Sequence, residues 1–383
     1  MIPELVSEIN KKLDICIANI AELGKPRKTP TAQFALMSEI ASTYSRMAGS
    51  AVVGHYNGLE DNSMYARKLI RDDLEAFEQR MRKEGCQIAF QTGAQDALLI
   101  DTKETTEWAA KILEVPTYAW IQKTIKGVRA KEDKDEINPE VKARLFHDQT
   151  KSWEWIAEEG LAAAEGTVAS VSKLLLEAAC PDQLLRSKLD AWLQPDIQRS
   201  IDAARHELRL LLSDERNGVV TLNPLKVTKQ NIYHDERVSC ITTRLSNEYQ
   251  DLKNPMVAEP ALPTSTIISA HFLVNSLIYQ NPELVGVLNT HDSLAAYYDV
   301  ALYRFIDNFA LQVVERHLLG PEGPLRLFDS QYVTKRLYGE ENRAVLEELA
   351  AEEPAVAARR EKLGLERRSL EESRKRVQGI RML

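Results

Sequence analysis

Six apolar residues at the start of the chain, Ile2, Val6, Ile9, Leu13, Cys16 and Ile20, are spaced 4, 3, 4, 3 and 4. That spacing places them along one side of a single helix as a heptad seam. Such a helix is only half a structure, because a narrow apolar stripe must lean on other helices to be stable. The rest of the chain supplies such helices. Only 16 Gly and 15 Pro interrupt 383 residues, the remainder is rich in good helix formers, and no segment alternates convincingly at period two. The fold class read from the sequence is therefore all-α and elongated.

The first helix stops where a helix should, at Gly24 and the run Lys25-Pro26-Arg27-Lys28-Thr29-Pro30. The pattern resumes at Phe34, Met37, Ile40 or Ala41, Tyr44 and Ala48, and breaks again at Gly54–Gly58. A third helix carries Ala66, Ile70, Phe77 and Met81 on one face. Residues 85–105 are ambiguous, and the charges from Lys131 to Glu136 read as a mobile loop. A long helical region opens at Pro139, a first-turn proline behind Asn138, with Leu145, Trp153, Ile156, Val168, Val171 and Leu175 as its stripe. Pro181 and Pro195 restart or kink it, and it runs on through Ile201, Leu208, Leu211 and Leu212 to Asn217-Gly218. The tract from about 216 to 263 reads as a large loop with a short helix inside it. Further long helices are expected over Glu283–Leu318 and over Tyr332–Ile380. In the tail Leu349, Val356, Leu363, Leu370 and Val377 recur every seven residues, but the positions between are mostly charged, so this is half a seam.

Charge and chemistry exclude more than they assign. The net charge of −8 argues against a dedicated nucleic-acid binder. No phosphate-cradling G-x-x-x-x-G-K-[ST] loop, no G-x-G-x-x-G, no H-E-x-x-H and no G-x-S-x-G is present. Asp72-Asp73-Leu74-Glu75 continues with Ala76, so it lacks the third carboxylate of a metal-binding DDxxD set and reads as a solvated helix face. The seven histidines are scattered, and Trp153 and Trp155 point in different directions on a helix, one of them into the core. Cys16, Cys86, Cys180 and Cys240 are too far apart in sequence to suggest a zinc site or a disulfide framework, which favours a reducing cytoplasm. The start Met1-Ile2-Pro3-Glu4-Leu5 has no signal-peptide pattern, and no apolar run is long enough to span a bilayer. No catalytic, cofactor-binding or metal-binding residue is assigned. Two regions combine cations with apolar side chains: Lys226 and Lys229 beside Val227 and Ile232, and the tail from Arg359 to Arg381. The glutamates of the tail favour a salt-bridge-laced helix over a lipid-binding patch.

Several stretches, in order, resemble one family. Ala296–Asn308 followed by Val313–Leu319 looks like the start of a fungal dynamin/Mx-like GTPase effector region, Leu327-Phe328 and Val333 the short loop before its last helix, and Ala355–Leu370 its closing helix. Leu5–Leu23 with Gly24-Lys25-Pro26-Arg27 is similar to the first stalk helix and its loop. Phe146–Gln149 with Ser152-Trp153-Glu154 resembles the beginning of the third stalk helix. Val220–Asn223 and Gln230-Asn231 are similar to the loop at the far end of the stalk from the GTPase. The family's Arg-Gly-x-Glu-Leu-Pro-Gly loop is replaced around Lys126-Gly127-Val128-Arg129 by a longer charged tract, and the family's GTPase domain has no counterpart here.

The resemblance implies an antiparallel four-helix stalk bundle with a C-terminal effector helix that returns to pack on the first helices. It divides the chain into a stalk over 1–283, with the large loop near 216–263, and an effector domain over 284–383. It implies a homo-oligomer, built through Gly24, Pro26, Arg27, Lys126, Gly127 and Arg129, with membrane or target contact at Lys226 and Lys229. The seam Val356, Leu363, Leu370 and Val377 would belong to a three-helix signalling bundle, and is expected to find no complete partner within the chain. A GTPase domain acting in trans and a peripheral contact with an organelle membrane follow from the same likeness. The alternative is a helical scaffold or adaptor, or a degenerate paralogue, whose heptad faces bind another protein.

Overall fold

The computed structural model describes residues 2–99, 107–128, 138–217, 220–253, 274, 278 and 280–380. The regular secondary structure of the described residues is all helical, with no strand among them. Fourteen α-helices are numbered here in chain order. They are α1 (Ile2–Glu22), α2 (Pro30–Val53), α3 (Ala66–Glu84), α4 (Gly93–Leu98), α5 (Trp108–Glu114), α6 (Pro116–Val128) and α7 (Pro139–Gln149), followed by α8 (Trp153–Ala179) and α9 (Gln183–Asn217). After these come α10 (Leu225–Lys253), α11 (Pro282–Asn308), α12 (Ser330–Leu337), α13 (Arg343–Ala350) and α14 (Pro354–Ile380). None of the described helices is long and apolar enough to cross a membrane.

The chain forms two compact units, each discontinuous in sequence. The first comprises Met1–Arg67, Val168–Arg199 and Pro321–Leu383, and the second Lys68–Thr167 and Ser200–Gly320.

In the first unit α2 is the central element. Thr29 accepts from the Ala32 amide ahead of Pro30, and Gly54 at φ 89° ends the helix, a conformation that costs glycine little. Met37, Ile40, Ala41, Tyr44, Ala48 and Val52 are buried along one face, against α12 and α13. Tyr44 packs at a tilt against Phe328 with ring centroids 5.6 Å apart and shares a 2.9 Å hydrogen bond with Ser172, while burial pushes the pKa of its hydroxyl up to about 12. The other part of the unit is the pairing of α1 with α14. The Cys16 thiol donates to the Leu363 carbonyl at 3.3 Å, and Arg360 donates to the carbonyls of Leu23 and Gly24 at 2.7 and 2.8 Å. Residues late in α1 thus meet residues early in α14, so the pair is antiparallel. Leu13 and Cys16 are buried in it, whereas Val6, Ile9 and Ile20 stay half-buried.

The second unit is built on aromatic packing. Phe77 of α3 lies 4.1 Å, centroid to centroid, from Phe309, over the bare Cα of Gly160, where an added Cβ would come within 2.8 Å of the Phe77 ring. Trp153 donates its indole N–H to the Gly85 carbonyl at 3.0 Å and packs on Phe146, Tyr298 and Phe305. The expected long helix over Glu283–Leu318 is present, but its last ten residues, Phe309–Leu318, widen into a π-helix.

Two expectations need correcting. The tract 216–263 is not mainly loop, because Leu225–Lys253 forms one helix of 29 residues; residues 254–263 lie outside the described ones. Between Pro224 and Pro255 there is neither Pro nor Gly, and Val238, Ile241 and Leu245 give a buried stripe at helical spacing. The stretch Tyr332–Ile380 is not one helix. It breaks at Gly339, which sits at φ 103°, and again before Pro354, so Leu349 lies on α13 and the rest of its seven-residue series on α14.

Candidate functional site

The loop between α9 and α10 projects apolar side chains from the second unit. Leu222 is 97% exposed, and Val220, Leu225, Val227 and Ile232 are each more than half exposed. Local chemistry fixes this arrangement. Thr221 accepts from the Asn223 amide at 3.1 Å and Asn223 from the Leu225 amide at 3.0 Å, turning the chain into α10. The base of the loop is held by Arg304, which forks onto Glu215 at 2.9 and 2.6 Å and donates to the Val220 carbonyl at 3.3 Å.

The two lysines assigned to this region behave differently. Lys229 is engaged within the unit: its ammonium lies 2.6 Å from Asp299, which also accepts from Tyr233 at 2.5 Å. Lys226 donates to the Gln230 amide oxygen at 2.7 Å, and burial holds its pKa below the usual lysine range. Sequence reasoning missed Lys142 of α7. Its pKa is depressed first by burial and then by the charge on Lys226. Two partly desolvated ammonium groups repel each other here, and both would gain from an anion. The spacing from Lys142 to Lys226 gives no sequence signal, because the fold creates their proximity.

The residues assigned to self-assembly fall in both units. In the first, Gly24 has φ 70°, and Arg27 is tied to Asp182 at 2.5 Å with its side chain only 14% exposed. Asp182 is thereby held below the usual carboxylate range: burial opposes this, and the Leu185 amide and Arg27 outweigh it. Pro26 lies in the same loop, outside any helix. In the second unit Lys126 pairs with Glu283 at 2.7 Å, and Gly127 has open space where a side chain would stand. Arg129 lies outside the described residues. On α14, Val356, Leu363, Leu370 and Val377 are all half-buried. Within the chain α14 packs on α1, and the four seam residues keep part of their surface in solvent.

A second constellation, unforeseen in the sequence, is sealed inside the second unit. Arg237 of α10 is 2% exposed and stands between two carboxylates. It donates to Asp292 of α11 through both terminal nitrogens, and through Nε to Asp96 of α4 at 2.7 Å. Tyr118 of α6 donates to the same Asp96 oxygen at 2.7 Å, and His291 meets Asp292 at 2.9 Å. Gly93 lets α4 approach: a Cβ there would lie 2.6 Å from the Arg237 Cα. Burial raises the pKa of Asp96, with Arg237 and Tyr118 only partly opposing it. Burial works the same way on Asp292, but the hydrogen bonds from His291 and Arg237 prevail and lower it. The other Asp96 oxygen, Oδ1, is buried with no partner among the described residues. A signal for this cluster did exist: Thr290-His291-Asp292-Ser293 is a polar run inside an apolar stretch of helix.

Elsewhere, the acidic run on α3 is engaged piecemeal, with Asp73 accepting from Thr167 at 2.7 Å and Glu75 pairing with Arg71 at 2.9 Å. Trp155 is exposed, with Arg80 over its ring at 4.6 Å. Comparison of the chain with family profiles, with curated proteins and with solved structures finds no match.

Proposed function

We propose that the chain is the self-assembling stalk and effector module of a dynamin/Mx-like GTPase. It hydrolyses nothing itself and acts by associating with further copies of itself. The observation that carries this reading is the closing helix α14, which returns antiparallel onto α1 and is fastened there by Arg360 on the Leu23 and Gly24 carbonyls. Such a return is what the family's effector helix requires. In this reading the antiparallel four-helix stalk belongs to 1–283 and the effector region to 284–383. Its partners are identical chains, a GTPase domain supplied in trans, and the surface of a cytoplasmic organelle membrane.

The start of α10 and the loop before it support the membrane part of the reading. An apolar fringe led by Leu222 beside the desolvated Lys142 and Lys226 suits an anionic bilayer, where apolar side chains enter the interface and cations meet headgroups. Lys229 is the lesser contributor, because Asp299 already neutralises it.

The deciding experiment is sedimentation velocity of the whole chain over a range of concentrations at low and moderate salt. Reversible dimers and larger species are expected. A compact monomer at every concentration overturns self-assembly and leaves the scaffold or adaptor reading, in which association waits for a different protein.

A further inference from the structure

Between α8 and α9, within the second unit, runs a groove of about 250 Å³. Its floor is Leu161, Leu208 and Leu212, all buried. The two helices run antiparallel along it, because Arg205 forks onto Glu165 at 3.0 and 2.7 Å and Arg216 pairs with Glu154 at 2.6 Å. In both rungs the acid belongs to α8 and the base to α9. Between the rungs stand Glu158 of α8 and Arg209 of α9, both exposed, and neither bonds to the other or to any other described residue. The edge of α8 beside the groove is low: Ala162 is exposed, and an added Cβ at Gly166 would meet nothing within 4 Å.

This order of charges is self-complementary. Two copies can meet face to face through a two-fold axis lying in the plane of the face. An axis parallel to the helices lays α9 of the second copy over α8 and keeps every residue at its own level. Glu154, Glu158 and Glu165 then face Arg216, Arg209 and Arg205 of the second copy, with Glu158 and Arg209 less than one turn apart in level. An axis across the helices instead sets glutamate against glutamate and arginine against arginine, and repulsion excludes it. A different protein would have to supply this order of charges, whereas a second copy already carries it. Each arginine that reaches across lays its methylene stem over the leucine floor. Burial of apolar surface then supplies affinity, while the exposed charges, worth little alone, fix the orientation.

We propose that this face of α8 and α9 is where a second copy of the chain docks, with Glu158 of each copy paired to Arg209 of the other. The inference rests on the self-assembly reading and names for it a surface apart from the loops around Arg27 and Lys126.

The test is sedimentation velocity of the whole chain and of two reversals, Glu158→Arg and Arg209→Glu, each alone and the two mixed. Either reversal alone meets like charge in its own copy at both symmetric contacts, so the first association step should weaken by about tenfold or more. Mixed in equal amounts they should associate nearly as the wild type does, because every contact then joins one arginine to one glutamate. Pairing of Glu158 with Arg209 inside one chain cannot produce that rescue. If the wild type associates and the reversals associate equally well, or their mixture is no stronger than its components, this surface is wrong and self-assembly runs through another. A wild type that stays monomeric at every concentration removes the self-assembly reading and this inference with it, and leaves the groove to a different protein. Should either reversal fail to fold, Ala162→Trp probes the same face by bulk: lost association is expected, and unchanged association overturns the proposal.

Discussion

The α1/α14 pair and the α4/α10/α11 contact both join helices distant in sequence, and both use charge, but in opposite ways. Along the pair most charges sit outside the seam: Arg367 and Glu371 bond to each other at 2.8 Å on α14, the seam residues are half-buried, and Arg360, paired with Glu352, is the exception that crosses to the Leu23 and Gly24 carbonyls. At the other contact the charges are the interface itself, with Arg237, Asp96 and Asp292 all buried. An exposed pair gains little because water screens it and its side chains pay entropy to meet. A buried one is costly to assemble and still costlier to break by halves. The first arrangement can separate and re-form at small expense, whereas the second holds one geometry.

The largest expected effect comes from breaking the sealed cluster. Arg237→Met fills similar space but leaves Asp292 and the already unsatisfied Asp96 without a counter-charge. A loss of about 3–5 kcal/mol in urea unfolding is expected for this unit. A loss below about 1 kcal/mol would mean that water or protonation compensates the carboxylates, and the contrast between the two contacts would fail.

Sequence reading reached the two contacts unequally. The seam of α1 was visible because it is local: Leu13 and Cys16 stand at heptad spacing and are the buried members. Ala66, Ile70, Phe77 and Met81 on α3 were read for the same reason and are all buried. Arg237 was not, because its neighbours His234-Asp235-Glu236 look like a solvated face and its partners lie 141 and 55 residues away. Helix α10 is hard to read for a related reason: Val238, Ile241 and Leu245 make only a short stripe in 29 residues of mixed polarity. Lys142 was overlooked because desolvation is a property of the fold, not of composition.

A smaller effect separates the two carboxylates by the sign of their response to pH. Asp96 has a raised pKa, so the folded state keeps a proton that the unfolded state has released. Its contribution is full below the unfolded-state pKa and is lost as pH rises through the folded one. Asp292 is lowered and behaves oppositely, stabilising above the unfolded-state value and failing as pH falls. Asp96→Asn mimics the protonated form. Relative to wild type it should become progressively more stable as unfolding is measured at rising pH from the acid range to neutral. If the difference stays constant, Asp96 carries its charge in the folded protein, and Arg237 satisfies both carboxylates after all.

The smallest effects belong to the pair, and they test whether its looseness is real. Leu363→Ala removes a half-buried side chain, so roughly half of a full Leu truncation is at stake, about 1–2 kcal/mol. That loss should appear as faster exchange confined to α1 and α14, with the second unit unchanged. Arg367→Ala is the companion measurement: its exposed bond to Glu371 should leave the unfolding midpoint unmoved at moderate salt. The two variants lie four residues apart on α14, roughly one turn, so any difference between them isolates the seam from the charges outside it. Should Arg367→Ala loosen α14 as much as Leu363→Ala does, the pair is held by its ion network rather than by its apolar stripe. It would then be salt-labile throughout.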